Sequence, residues 1–305
     1  MPIIRIIKQN TQIKFMKLKK ITLIISTFLF LLSLFYISFN GLNFGIDFTG
    51  GTLIEARFNK QVDLNDLRTK MNKLDLGEIQ LQTIGDQNDV VIKIQKNTSE
   101  DSKQIEVIKA VKQSLINDNV EYRRTEFVGP KVGDELIKAG IIAVIFSLIG
   151  ILIYIWLRFH WNFALGAIIA LIHDVILTIG FFSLFQFEFN LATVAAVLTI
   201  AGYSINDTVV IYDRIRESMR KYKKISFDEV INISLNSTLS RTFMTSITTL
   251  LALIALFLFG GIVISSFIIA LIWGVIIGTY SSLYVASPIL TYLKVDKRIS
   301  DSNGN

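Results

Sequence analysis

A polytopic α-helical membrane protein with one α+β domain outside the bilayer is the fold class that three observations predict. Hydrophobic residues fill 51% of the 305 positions, and the mean hydropathy is +0.52, more than a soluble chain of this length needs. Six windows, residues 21–39, 139–157, 163–185, 191–212, 242–259 and 262–285, are long enough to cross a hydrocarbon core and carry few or no charges. Between the first two lies a polar stretch, residues 40–134, whose periodicity changes from segment to segment.

Residues 1–20 form a basic arm with Arg5, Lys8, Lys14, Lys17, Lys19 and Lys20. They resemble the front of a signal peptide, but the apolar run behind them is too long and SFNGLNFG offers no small-x-small cleavage site. The first window is therefore read as a retained anchor. Lys and Arg recur at Arg158, through residues 214–241, and at Lys294, Lys297 and Arg298, whereas the turns around Glu188 and Gly260-Gly261 carry none. That bias places both termini, the segment of about residues 213–240 and the tail 294–305 in the cytoplasm, and residues 40–134 outside. It also accounts for the net charge of +6 without nucleic acid. With no cysteine, a disulfide framework and thiol-ligated metals are excluded.

The external segment reads as β-α-β-β-α-β, a ferredoxin-like split βαβ unit. Strands are expected over residues 52–58, 78–84, 90–95 and 120–127, with a turn at residues 85–88. Asp63 is expected to cap a helix bearing Leu64, Leu67, Met71 and Leu74 on one face. A second helix over residues 101–116 should bury Ile105, Ile108, Val111 and Leu115. Glycine-rich segments bracket the unit. NFGIDFTGGT, residues 43–52, lacks the GK[ST] ending and the preceding strand of a phosphate loop, so it reads as a tight turn. In FVGPKVGDE, residues 127–135, Gly129, Pro130 and Gly133 form a candidate hinge.

Polar residues within the spans are few. Asp207, preceded by Asn206, lies in the fourth window. A carboxylate there is costly in hydrocarbon, so it should face helices or water and is a functional candidate by default, with a purely structural hydrogen bond as the other reading. His173 and Asp174 sit mid-way along the third window. In the fifth, Thr238, Thr242, Thr245 and Thr249 share a helical face beside Arg241, as the wall of a hydrated path or as interhelical glue. Ala270, Gly274, Gly278, Ser282 and Ala286 recur every four residues in the sixth, a packing stripe, and Pro288 should end or kink that helix. Ser226 and Glu229 have capping-box spacing, predicting a surface helix with Phe227, Val230, Ile231 and Leu235 turned toward the membrane.

GIDFTGGT at residues 45–52, FVGPKVGDEL at 127–136, HDVILTIG at 173–180, SINDTVVIYDRIRE at 204–217 and NSTLSRTFMTSITT at 236–249 resemble the SecF family of bacterial protein-export membrane proteins, part of the SecD/SecF group in the RND superfamily. The five motifs fall in the family's order over nearly the whole chain. The resemblance implies a multi-pass inner-membrane subunit of the Sec translocon that uses the proton-motive force to assist export of unfolded polypeptides. It implies SecD, the SecYEG translocon and YajC as partners, in a lipid membrane. It also implies protons as the coupling ion, with no cofactor, metal or catalytic residue. By similarity Asp207 and Arg241 form the proton path. Asn206, Asp213, Arg214, Asp174, Thr242 and Thr245 are supporting polar residues.

On this reading the distance between Asp207 and Arg241 sets how readily the carboxylate holds a proton, coupling protonation to helix movement. Three rivals are kept: a small-molecule efflux component of the same superfamily, an intramembrane aspartyl protease using Asp174 and Asp207, and a purely structural partner-stabilising bundle. Efflux pumps of that kind carry a second set of spans. A protease dyad needs its carboxylates about 3 Å apart.

Overall fold

The computed structural model describes residues 11–83, 88–95, 101–261, 264–293 and 295. The expected turn at residues 85–88 therefore lies outside the described residues except for Asn88, as do the first ten residues and the tail beyond Leu293 except for Val295. The described chain divides into two units, one of residues 43–143 with 188–191, the other holding the rest.

The smaller unit begins with strand β1 (Asn43–Phe44) and a single helical turn α2 (Ile46–Thr49). These elements occupy what the sequence reading treated as a plain turn. Strand β2 (Gly51–Arg57), helix α3 (Leu64–Asn72), strands β3 (Glu78–Thr83) and β4 (Asp89–Gln95), helix α4 (Asp101–Ser114) and strand β5 (Glu121–Val128) follow. The sheet order is β3-β4-β2-β5, antiparallel throughout, the split βαβ arrangement. Asp63 accepts from Asn65 N at 2.7 Å and caps α3. Ile54, Ala56, Val90, Ile92 and Ile94 pack under Leu67, Met71, Val107, Val111 and Leu115. Here one expectation fails: Ile105 is 56% exposed, and Val107 takes the inward place. Val107, Val111 and Leu115 lie four residues apart, one turn each, so they make the straighter stripe.

At the start of β2, Gly51 has φ +118°, and a Cβ there would stand 2.5 Å from the Ile94 carbonyl oxygen. Only glycine lets the two strands meet at that point. Strand β6 (Glu188–Phe189) pairs in parallel with β1, and Asp47 accepts from Leu191 N at 2.9 Å. Both contacts join residues too far apart in sequence for periodicity to reveal.

The larger unit is the bundle. Six helical segments are long and apolar enough to cross a membrane: Phe15–Asn40, Val132–Arg158, Trp161–Phe185, Leu191–Lys221, Phe227–Phe259 and Ser265–Tyr292. They correspond to helices α1 (Lys19–Asn40), α5 (Pro130–Arg158), which begins two residues before its segment, α6 (Trp161–Phe185), α7 (Leu191–Lys221), α8 (Phe227–Phe259), and α9 (Ser265–Ser281) with α10 (Ser287–Tyr292). Half or more of the apolar window is buried in the segments of α6, α7 and α9 (50, 50 and 56%), against 6, 0 and 11% for those of α1, α5 and α8. The first three therefore form the centre and the others the rim.

Close approach explains that centre. A Cβ on Gly274 would fall 2.2 Å from Ile200, and one on Gly278 would fall 3.0 Å from Ser204, so α9 and α7 meet along the small-residue stripe. Between α9 and α10 the chain takes a π-helical turn, Ser282–Ala286. Pro288 lacks the N–H that an α-helix would return to residue 284, and Ser287 Oγ donates instead to the Ser282 carbonyl, five residues back, at 2.8 Å.

The separate surface helix expected from Ser226 onward does not exist. Ser226 does accept from Glu229 N at 3.2 Å, but the helix it caps runs on as α8 through the fifth span. Val230, Ile231 and Leu235 are fully buried against Tyr212, Ile215 and Met219 rather than turned to lipid. Phe15 and Met16 join the same core. The described part of the basic arm is docked there: Met16 N donates to Asn232 Oδ1 at 3.0 Å and Ile13 N to Asn236 Oδ1 at 2.9 Å.

Candidate functional site

Helix α7 carries Ser204, Asp207, Thr208, Ile211, Tyr212 and Ile215 at three- and four-residue steps, and all six are buried. They form one inward stripe. Ser204 Oγ donates to Asp174 Oδ2 at 2.6 Å. Thr208 Oγ1 bonds Ser282 Oγ at 2.9 Å, and Tyr212 donates its hydroxyl to the Ala286 carbonyl at 3.0 Å. Asp207 breaks this pattern. It is 4% exposed, and its Oδ2 is buried with no hydrogen-bond partner among the described residues. Leaving a buried acceptor unpaired costs about 1–3 kcal/mol, more for a charge, so a polar atom in that state asks for an explanation.

Arg241 is exposed on α8. No ion pair within 4.0 Å joins it to Asp207 among the described residues. Beside Arg241, Thr242 is fully buried and its hydroxyl too lacks a partner among the described residues. Two other threonines of the stripe, Thr238 and Thr245, bond back into their own helix. Thr238 donates to the Ser234 carbonyl at 3.1 Å, and Thr245 to the Thr242 carbonyl at 2.9 Å. Across to α9, the contact is Ser246 with Thr279 at 2.7 Å.

Asp174 belongs to a separate, well-bonded cluster. Its Oδ2 accepts from Ser204 and Ser281, both at 2.6 Å, and its Oδ1 lies 3.0 Å from His173 Nδ1. Three helices, α6, α7 and α9, are thereby pinned at one carboxylate. Ser281 was not singled out by sequence reasoning; a lone serine beside a glycine step gives no signal of its own. Asn206 points outward and is exposed.

Asp213 and Arg214 lie farther along α7. Arg158 NH2 donates to both Asp213 oxygens at 2.8 and 2.7 Å. Arg214 donates from Nε to Ser237 Oγ at 2.8 Å and from NH1 to Glu217 at 2.6 Å, tying α7 to α8. The candidate hinge residues straddle a helix start. Gly129 precedes α5, Pro130 is its first residue, where a missing N–H costs nothing, and Gly133 lies in its first turn. A Cβ on Gly133 would stand 3.2 Å from the Phe48 carbonyl oxygen, so close packing is what its small size serves. Among the described residues no group of three or more His, Asp or Glu is placed to hold a metal.

Six spans around a buried, incompletely bonded carboxylate, with one small α+β unit between the first and second, define a multi-pass membrane protein of the transport class. The family model for the C-terminal region of the protein export membrane proteins SecD/SecF matches residues 107–296, and the model for the SecD/SecF GG motif matches residues 35–62. The protein translocase subunit SecF of Rickettsia rickettsii is 50% identical over 289 residues, 94% of each chain. That of Rickettsia prowazekii is 48% identical, over 94% of this chain and 93% of its own. Among solved structures, SecDF of Thermus thermophilus, a translocon-associated membrane protein, superposes with a TM-score of 0.85 at 34% identity over 95% of this chain. This chain spans 40% of the length of that one. It belongs to the SecD/SecF family of protein-export membrane proteins.

Proposed function

We propose that this chain is the SecF-like subunit of a SecD/SecF complex in the bacterial inner membrane, where it uses the proton-motive force to assist Sec-dependent export of unfolded polypeptides. The observation that carries the reading is the buried Asp207 carboxylate, an oxygen of which has no hydrogen-bond partner among the described residues. Asp207 takes a proton from the outer side and releases it inward, and Arg241 responds to each change of charge. Movement of α8 relative to α7 is the mechanical output. One elementary charge crossing the field yields about 2.3 kcal/mol per 100 mV, so a few protons suffice to bias a conformational step that holds or frees a polypeptide at the external unit.

Both termini are cytoplasmic and the external unit periplasmic, following the bias of Lys and Arg. SecD supplies the remaining half of the membrane domain, SecYEG and YajC complete the assembly, and protons are the coupling ion. The protease alternative fits poorly. Both Asp174 oxygens are engaged by Ser204, Ser281 and His173, leaving none to share a proton with Asp207 as a dyad must.

The test is export in proteoliposomes containing the Sec translocon and the SecD/SecF pair. Asp207→Asn should abolish the stimulation of export by a proton gradient while leaving the chain folded and membrane-inserted. Undiminished stimulation in that variant removes Asp207 from the mechanism.

A further inference from the structure

Two long helices start beside the single helical turn α2, in the glycine-rich segment of residues 45–52. Against its backbone stands α5: a Cβ on Gly133 would lie 3.2 and 3.4 Å from the Phe48 and Asp47 carbonyl oxygens. Its one carboxylate reaches α7: Asp47 Oδ2 accepts from the N–H of Leu191, the first residue of that helix, at 2.9 Å. The first N–H groups of an α-helix have no partner within the helix, and a carboxylate placed there satisfies one and complements the positive end of the dipole. A side chain 144 positions away in the chain thus does for α7 what Asp63 does locally for α3.

The strand before α7 is held by the same neighbourhood. Glu188 and Phe189 pair in parallel with Asn43 and Phe44, and Gly45 N donates to the Phe189 carbonyl at 2.9 Å. The Phe189 ring lies 6.2 Å from those of both Phe44 and Phe48. Lys93 on β4, its side chain 7% exposed, stands 3.3 Å from Glu188, and a charge so buried demands its counter-charge. Residues 188–191 therefore belong to the α+β unit, although the helix that Leu191 opens is unbroken to Lys221. Asp207 lies on that same helix, about 24 Å from its start at 1.5 Å per residue. A shift of α7 driven at Asp207 pulls on the Asp47 carboxyl at the far end.

We propose that Asp47 is a positioning residue for the proton step: it keys the start of α7 to the α2 turn, so that a change of charge at Asp207 is passed to the α+β unit. Coupling of this kind is reciprocal, and releasing α7 from Asp47 alters the proton affinity of Asp207 in turn. This role rests on the proton reading of Asp207, to which it adds the residue that passes the change on.

Two measurements on the full chain in lipid test it. Amide hydrogen exchange reads the cap. In Asp47→Ala the first turn of α7 should exchange about fivefold faster, the ~1 kcal/mol that a helix cap contributes. Asp47→Asn, which keeps an accepting oxygen, should stay near wild type. The pH midpoint of the Asp207 carboxyl band in the infrared, assigned by its loss in Asp207→Asn, reads the coupling. It should move by about one pH unit in Asp47→Ala, a tenfold change in proton affinity, and hold in Asp47→Asn. Leu191→Pro removes the donor yet suits the first position of a helix, so it should move the midpoint in the same direction as Asp47→Ala. A loss of packing confined to the α+β unit leaves that midpoint where it is. Unchanged exchange in Asp47→Ala overturns the cap, and faster exchange with an unmoved midpoint makes Asp47 a structural contact and overturns the coupling. A wild-type band that does not titrate overturns the proton reading as well, whereas one that titrates at the same pH in wild type, Asp47→Ala and Leu191→Pro overturns the role of Asp47 alone.

Discussion

Asp174 and Asp207 are two buried aspartates in one bundle whose neighbours treat them differently. Asp174 receives two serine hydroxyls and lies 3.0 Å from the His173 ring nitrogen Nδ1. It is a structural pin. Asp207, one turn along α7 from Ser204, has an oxygen with no partner among the described residues, and that state fits a group that gains and loses a proton. The cost of a carboxylate in a span made Asp207 legible in the sequence. The same cost applies to Asp174, which the sequence reading placed only among the supporting polar residues. What separates them is Ser281, which lies 107 residues from Asp174 in the chain and meets it only through the crossing of α6 and α9.

In the small α+β unit Glu55 provides a test of burial against charge. Glu55 is 3% exposed in the middle of β2, opposite Arg124 on β5. Burial pushes its carboxyl above the ordinary value of 4.5, against the pull of Arg124 and Arg123, and Asp89 and Glu126 add to the rise. The folded unit therefore binds this proton more tightly than the unfolded chain does. Its contribution to stability is lost as pH rises through the folded value and gained as pH falls toward 4.5. Hydrogen exchange at β2 amides should show wild type gaining stability relative to Glu55→Gln on acidification. A difference between the two that does not vary with pH would contradict the assignment.

At the scale of elements, strands β2 to β5 and the Asp63 cap of the α+β unit were readable from local pattern because alternation and capping act within a few residues. Helix α8 was not. A stripe of Phe227, Val230, Ile231 and Leu235 has the same period whether it faces lipid or a protein core, and only the neighbouring α7 and the docked Phe15 and Met16 decide the matter. Between α1 and α6 the deciding contact is Gly180. A Cβ there would fall 2.3 Å from the Ser33 Cβ and 2.8 Å from its backbone Cα, so the helices cannot absorb it by turning a side chain. Gly180→Ala should lower the stability of the bundle by about 1–3 kcal/mol, read from unfolding in mixed detergent micelles. No measurable loss would mean that α1 does not pack where it is placed.

For the whole molecule, six spans were legible by length and apolar content alone. Their arrangement was not, because the segments that become the centre are no more apolar than those of the rim: hydropathies of 2.2, 1.6 and 1.9 for α6, α7 and α9 overlap 2.2, 2.7 and 2.1 for α1, α5 and α8. Small residues carry that information, as Gly274 and Gly278 do where α9 meets α7. Proton coupling in the whole assembly requires Asp207 to exchange a proton with water from inside that centre. Infrared difference spectroscopy of the full chain in lipid, wild type against Asp207→Asn, reads this directly through the carboxyl stretch. A band that belongs to Asp207, changes with pH and shifts on transfer from H2O to D2O is the expected result. A band locked in one protonation state across the pH range, or one that never exchanges with D2O, would contradict proton coupling at this residue.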